Sequence, residues 1–221
     1  VFLCNVREGL RMGGYLTVRR EASAEFTERR SRFIGCAKPV GTEKDALSFL
    51  NTIRSKHWDA SHNVYAYALR SGQLRRYSDD GEPQGTAGIP VLDVLVKSGL
   101  VDTAVVVTRY FGGALLGAGG LVRAYSHAAS LAVRQAGVAK MRPCRMMRLF
   151  CSYSQYGLIS ALIPQCGGTV DETGFTDTVE LKFHMAKEDC PAFEKKLADA
   201  TAGSVSFDVT GEKYFEFLED I

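Results

Sequence analysis

Three stretches of this chain hold the residue types that do chemistry. The first is Ser78-Asp79-Asp80-Gly81-Glu82-Pro83-Gln84-Gly85-Thr86-Ala87-Gly88, where Asp79, Asp80 and Glu82 bring three carboxylates within four residues. Oxygen ligands at that density suit a hard cation. They suit equally a turn-rich loop whose acids bond its own backbone and pair with nearby arginines. The alternation of ligands over the ~12 positions of a calcium loop is absent, so no metal is assigned. The second stretch, Thr108-Arg109-Tyr110-Phe111-Gly112-Gly113-Ala114-Leu115-Leu116-Gly117-Ala118-Gly119-Gly120, carries five glycines. Glycine permits close backbone approach and positive φ, and free N–H groups at the start of a following helix attract anions. It is not a P-loop, because no Lys-Ser/Thr follows. Nor is it a dinucleotide fingerprint, because Val122 stands where Gly or Ala is needed. The third stretch is one helix face, with Arg123, His127, Ser130 and Arg134 at helical spacing. Arg109 and Tyr110, at the end of the preceding segment, add a guanidinium and an aromatic ring. Arginines beside a stacking platform are how proteins grip the backbone and bases of nucleic acid. The candidate anion or nucleic-acid set is therefore Arg109, Tyr110, Gly112, Gly113, Gly117, Gly119, Gly120, Arg123, His127 and Arg134, with Asp79, Asp80 and Glu82 bracing it.

Enzyme templates find little footing. H-E-x-x-H, G-x-S-x-G and S-x-x-K are all absent. His62 begins an extended segment and is in a position to meet Asp79 or Asp80, but a His/Asp dyad needs a nucleophile, and none is marked. Two alternatives to nucleic-acid binding stay open. One is metal-assisted hydrolysis of a phosphate ester in a cleft between the acidic and glycine loops. The other is a protein-binding module that uses Ser78–Gly88 as its epitope. No cofactor is implied.

The elements that must position these residues follow from pattern. Ala24–Arg29 and Arg32–Pro39 read as strands. Thr42-x-x-Asp45 is a capping box opening a helix with Ala46, Leu47, Leu50 and Ile53 on one face. Asn63–Leu69 alternates into a strand that Ser71-Gly72 turns back. Pro90 fits the first position of a short helix, Val91–Lys97. Thr103–Tyr110, β-branched and aromatic, is a central buried strand. Leu121–Gln135 is a helix ended by Gly137, with Leu121, Ala124, Tyr125, Ala128 and Ala132 toward the sheet. Further on, Arg145–Tyr153 is a strand. Ser154 caps a helix Gln155–Gln165, which Gly167-Gly168 ends, and Thr169–Asp171 starts a strand. Thr178–His184 alternates with Val179, Leu181 and Phe183 on one side. Lys187–Ala200 is a helix, and Val205–Val209 and Tyr214–Phe217 close the chain as strand. The order βαββαβ is that of a ferredoxin-like split sandwich.

With 221 residues, 46% of them apolar and 24% charged, the composition is globular and excludes disorder, collagen-like repeats and a membrane span. The net charge of +2 hides an asymmetry. Residues 1–142 hold 20 Lys+Arg against 12 Asp+Glu, whereas residues 143–221 hold 7 against 13. Fifteen of those 20 basic residues are arginine, whose bidentate fork suits phosphate. The change of sign marks a domain boundary, with Gly137–Pro143 as a short linker. No two of the six cysteines are spaced as C-x-x-C, so neither a zinc knuckle nor a dithiol is supported. Residues 1–14 read as a disordered extension, with Met12 expected as the natural start. The apolar run there is too short for a secretory signal, so a cytoplasmic protein with reduced thiols is expected.

Several words of the chain resemble the YigZ/IMPACT family. They are Arg30-Ser31-Arg32-Phe33-Ile34; His62-x-x-x-Ala66-Tyr67; Ser78–Gly88; Val105-Val-Val-Thr-Arg-Tyr-Phe-Gly-Gly113; and Leu116-Gly-Ala-Gly-Gly-Leu-Val-Arg-Ala-Tyr125. The resemblance implies an α+β protein of two domains. Residues 15–138 would form an IMPACT-type α/β sandwich similar to a small-subunit ribosomal protein and to domain IV of elongation factor G. Residues 143–221 would form a ferredoxin-like domain similar to domain V of that factor, as bacterial members carry. Eukaryotic relatives regulate translation by competing for the activator of a stress kinase, but their second domain differs. By fold analogy the expected partner is RNA or the ribosome, with a protein partner in translation control as the alternative.

Overall fold

The computed structural model describes residues 13–217. The expected extension at 1–14, apart from Gly13 and Gly14, lies outside them. The chain divides into two compact units, which among the described residues are 15–140 and 141–217 together with Gly13 and Gly14.

The first unit is built on five strands: β2 (Ala22–Glu28), β3 (Ser31–Pro39), β4 (His62–Ala68), β5 (Arg75–Ser78) and β6 (Thr103–Tyr110). They pair antiparallel in the order β2-β3-β6-β4-β5. A short β1 (Tyr15–Val18) bonds the turn before β6, with Val101 N–H donating to the Leu16 carbonyl at 2.9 Å. β6 is central and buried on both faces, which is why it reads as a run of β-branched residues rather than an alternation.

Helix α1 (Glu43–Lys56) covers one face with Ala46, Phe49, Leu50 and Ile53. Its start is the Thr42/Asp45 capping box the sequence announces. Leu47, expected on the buried side, is exposed, and Phe49 takes its place. The other face carries α2 (Gly88–Lys97) and α3 (Ala118–Ala136). Both begin earlier than the pattern suggests, by three residues in each case. Pro90 thus lies within the first turn of α2, where its missing N–H costs no helical bond. The sheet-facing stripe of α3 is largely alanine: Ala124, Ala128, Ala129, Ala132 and Ala136. Small side chains bring the helix backbone down onto β3. A Cβ at Gly35 would collide with the Ala128 carbonyl, so only glycine fits there.

In the second unit, β7 (Val138–Cys151), α4 (Tyr153–Gln165), β8 (Thr169–Phe175), β9 (Val179–Ala186), α5 (Cys190–Thr201) and β10 (Phe207–Phe217) follow one another. Their sheet order is β10-β7-β9-β8. That is the ferredoxin-like βαββαβ arrangement. Met147, Leu149, Val179, Leu181 and Phe183 pack against Ile159, Ile163, Phe193 and Leu197 of the two helices. Four local expectations change. The Gly137–Pro143 stretch does hold the division between the units, after Lys140, but as strand and not loop, because β7 runs through it from Val138. Ser152, not Ser154, caps α4, in a capping box with Gln155. Helix α5 begins at Cys190, and β10 is a single strand from Phe207. Among the described cysteines Cys36, Cys144, Cys151, Cys166 and Cys190 are free thiols. Burial pushes Cys144 up to about 11, so it stays an unreactive thiol at neutral pH. No helix among the described residues is long and apolar enough to cross a membrane.

Candidate nucleic-acid interface

The acidic loop spends its three carboxylates on three separate structural tasks. Asp79 accepts the backbone N–H groups of Gly85, Ala87 and Gly88 at 2.8–3.0 Å, and so ties the loop to the start of α2. Desolvation alone would raise its carboxyl, but these donors outweigh it and hold the group below its usual range. Asp80 accepts from the Asn63 N–H at 2.7 Å and pairs with Arg54 at 2.8 Å. Glu82 turns inward: its Oε1 takes Arg109 Nη1 at 2.6 Å and the Tyr125 hydroxyl at 2.7 Å. Burial first, and then the Glu82 charge, push the Tyr125 hydroxyl far up, so it remains a donor. With each carboxylate committed elsewhere, no common focus for a cation exists. Among the described residues no group of three His, Cys, Asp or Glu side chains is placed to hold one. His62 does meet Asp80, but through the backbone carbonyl at 2.9 Å and not the carboxylate, and its Nε2 lies 3.7 Å from Glu82 Oε1.

Arg109 is therefore not a surface contact. It is 4% exposed and lies within 5.3–5.4 Å of the rings of Phe33 and Phe111. Its Nη2 donates to Ser31 Oγ at 3.3 Å, and that oxygen also accepts the Gly112 N–H at 3.2 Å. The sequence places Arg109 at a strand end, where exposure is expected. β6 is the central strand, however, and residue 109 points to the face that α3 covers. Tyr110, on the opposite face, is also unavailable as a stacking platform. It is half-buried, and its hydroxyl donates to Asp59 Oδ1 at 3.1 Å and accepts His57 Nδ1–H at 2.9 Å. Tyr67 lies in that α1-facing layer, donating to Glu43 at 2.6 Å.

What the lock on Arg109 holds in place is a basic rim. Gly112 sits so close to Arg30 that a Cβ there would collide with the Arg30 carbonyl. This presses the glycine loop against the β2–β3 hairpin, whose two turn residues are Arg29 and Arg30, closed by the pair Glu28 and Ser31. Both arginines have positive φ, 45° and 68°. Arg29 Nη1 reaches the Leu115 carbonyl at 3.5 Å. Along α3, Arg123 Nη1 lies back over the first turn, 3.7 Å from where a Gly119 Cβ would be. The helix starts after Gly117, which has no capping side chain, and its first turn has no acid. Gly113 and Gly117 take the positive φ the loop needs, whereas Gly119 and Gly120 belong to the helix.

Arg123, His127 and Arg134 are exposed along α3, as their spacing predicts, and His127 stands edge-on to Phe26 at 4.8 Å. Ser130 bonds its own helix, donating to the Ser126 carbonyl. Arg134 lies about 16 Å along the axis from Arg123, so it extends the surface rather than joining the cluster. Among the described residues Arg30, Arg123 and Arg134 have no acidic partner, and Arg29 has only a carbonyl. In the second unit Arg142, Arg145, Arg148, Lys182 and Lys187 each face a carboxylate, as Arg32, Lys38, Arg54 and Lys97 do in the first. The sequence reading missed Arg29 as a site residue. Its signal is two consecutive arginines in the gap between two strands.

An antiparallel sheet wrapped by three helices and locked by Glu82, followed by a ferredoxin-like unit, defines a class of two-domain α+β protein. Residues 29–133 match the family described as the Impact N-terminal domain, and residues 149–204 match a domain of unknown function (DUF1949). The chain belongs to the IMPACT family. It is 37% identical to IMPACT family member YvyE of Bacillus subtilis (strain 168), over 86% of this chain and 88% of that relative. It is also 37% identical to IMPACT family member YigZ of Escherichia coli (strain K12), over 80% of this chain and 88% of that one. A solved structure described as "Crystal structure of an hypothetical protein" is similar at 33% identity and a TM-score of 0.57, covering 90% of this chain and 98% of its own.

Proposed function

We propose that this protein is translation-associated and contacts RNA or the ribosome through the basic rim of its first unit. The observation that carries this is a pair of exposed arginines along one glycine-rich segment, Arg29 at the Leu115 carbonyl and Arg123 one turn into the helix over Gly119, neither with a carboxylate partner among the described residues. Unpaired guanidinium groups beside an uncapped helix start favour a bound polyanion. The exposed row Arg123, His127 and Arg134 lengthens the surface along α3. Arg109 supports it from beneath by fixing Ser31 and the Gly112 N–H.

Phosphate contacts release counterions, so affinity should fall steeply with salt. A fluorescence anisotropy titration with labelled RNA should show binding near 50 mM salt that weakens by an order of magnitude or more at about 200 mM. Arg29→Ala and Arg123→Ala should each weaken it and flatten the salt slope by about one. No binding at low salt, together with no nuclease-sensitive co-sedimentation with ribosomes, would overturn the proposal.

A further inference from the structure

The basic rim continues across the end of the sheet into an aromatic ledge. Trp58, the chain's one tryptophan, is 83% exposed. A ring that large is normally at least partly covered. It stands in the loop between α1 and β4, and that loop is pinned rather than loose. The His57 N–H donates to the Ile53 carbonyl at 2.9 Å, the Ala60 N–H to the His57 carbonyl at 3.1 Å, and the Ser61 N–H to the Arg109 carbonyl at 2.9 Å. On the far side the Phe111 N–H donates to Ser61 Oγ at 3.1 Å, and Tyr110 bridges His57 and Asp59. The residues on both sides of Trp58 are thus stitched to the end of β6, where Phe111 is 48% exposed with Arg109 against its ring. Leu115, 83% exposed on the glycine loop, has its carbonyl at Arg29 Nη1.

Charge brackets this ledge. The Arg29–Arg30 turn lies on the glycine-loop side, and the exposed Lys56, with no acidic partner among the described residues, lies on the Trp58 side. We infer that the ligand is a single-stranded segment of RNA, with its phosphates on Arg29, Arg30 and Lys56 and unpaired bases stacked on Trp58 and Phe111. This rests on the RNA reading above and narrows it to a strand form. Every base offers a π-face, so stacking is tolerant of sequence. A duplex keeps those faces covered and gives the rings nothing to hold. With the backbone on both sides of Trp58 already pinned, binding has only the ring's own rotamers to order.

The single tryptophan makes the test direct. Trp58 emission is followed while the full chain is titrated with an unstructured 12-nucleotide RNA, or with the same length as blunt duplex, and anisotropy of the labelled oligonucleotides is read in parallel. The expected result is saturable quenching by the single strand and unchanged emission with the duplex. Trp58→Ala and Phe111→Ala should each lose roughly 5- to 150-fold in affinity for the single strand, and Trp58→Phe should recover most of it. Circular dichroism confirms that these exposed-ring variants fold. If single-stranded RNA binds while emission stays flat and Trp58→Ala binds like the parent, the ledge is wrong and the RNA reading survives. Equal quenching by duplex also overturns the single-strand assignment. If neither RNA binds, both readings fall.

Discussion

The carboxylate of Glu82 meets the guanidinium of Arg109 at 2.6 Å with both side chains about 95% buried. Glu82 belongs to the acidic loop, Arg109 to the central strand, Tyr125 to α3 and Ser31 to the hairpin. One ion pair therefore joins four separate sequence words. A buried pair contributes little net stability relative to well-packed apolar residues, yet breaking it leaves a charge stranded. Glu82→Ala should lower the unfolding free energy by about 3–5 kcal/mol, read as a shifted urea midpoint. Arg109→Ala should cost a similar amount. Where that variant remains folded, its RNA affinity should fall without the loss of salt slope expected of Arg123→Ala, because Arg109 supports the rim through Ser31 and is itself buried.

Asp79 gives an acid-sensitive clasp. Its carboxyl is held below the ordinary aspartate value of 3.8 despite desolvation, through donors from Gly85, Ala87 and Gly88. A carboxyl with a depressed folded value adds stability that is fully present above the unfolded value and is lost as pH falls through the folded one. Asp79→Asn should therefore cost about 1–2 kcal/mol at neutral pH, in the range of a lost helix cap. The gap between parent and variant should close as pH drops below 3.8. Denaturation series at pH 7 and near pH 3 check both parts.

His57 works at milder pH. Desolvation first, then Lys56 and Arg32, hold it below 6.5, while its Nε2 is buried with no hydrogen-bond partner. The neutral form, donating from Nδ1 to Tyr110, is the one that fits. Because the unfolded chain binds this proton more readily, stability should be flat above pH 6.5 and decline as pH falls below it. His57→Gln should remove that decline. Thermal unfolding across pH 5–8 measures it, and a slope unchanged in the variant would rule His57 out as its source.

The fold was legible because its signals are local. The capping box at Thr42, the β-branched run of β6 and the alternation of Val179, Leu181 and Phe183 each depend on neighbours in sequence. The rim was legible only in part. Arg123, His127 and Arg134 share a helix face by spacing alone, but whether Arg109 is exposed depends on Glu82, 27 residues away in the chain. Parity along β6 sends residue 109 under α3 and residue 110 toward α1. The sequence contains that parity without saying which helix covers which face. Trp58 carried no pattern at all, since its placement comes from hydrogen bonds to a strand some fifty residues later.

Arg29 and Arg30 separate stability from function most cleanly. A two-residue hairpin turn with positive φ at both positions is the type I′ geometry, for which Asn-Gly is the favoured sequence. Arginine at φ of 45° and 68° is strained, because its Cβ crowds the following carbonyl at about 1–2 kcal/mol per residue. Strain of this kind is kept where the side chains are used. Arg29→Asn with Arg30→Gly should relieve it and raise the unfolding free energy by about 1–2 kcal/mol. The same double variant removes two charges that the proposal places on phosphate, so RNA affinity should fall and the salt slope should drop by about two. Lost binding in a protein that melts later cannot be blamed on misfolding. If the variant is more stable and binds RNA as tightly as the parent, the hairpin is a mere turn and the rim must be drawn without it.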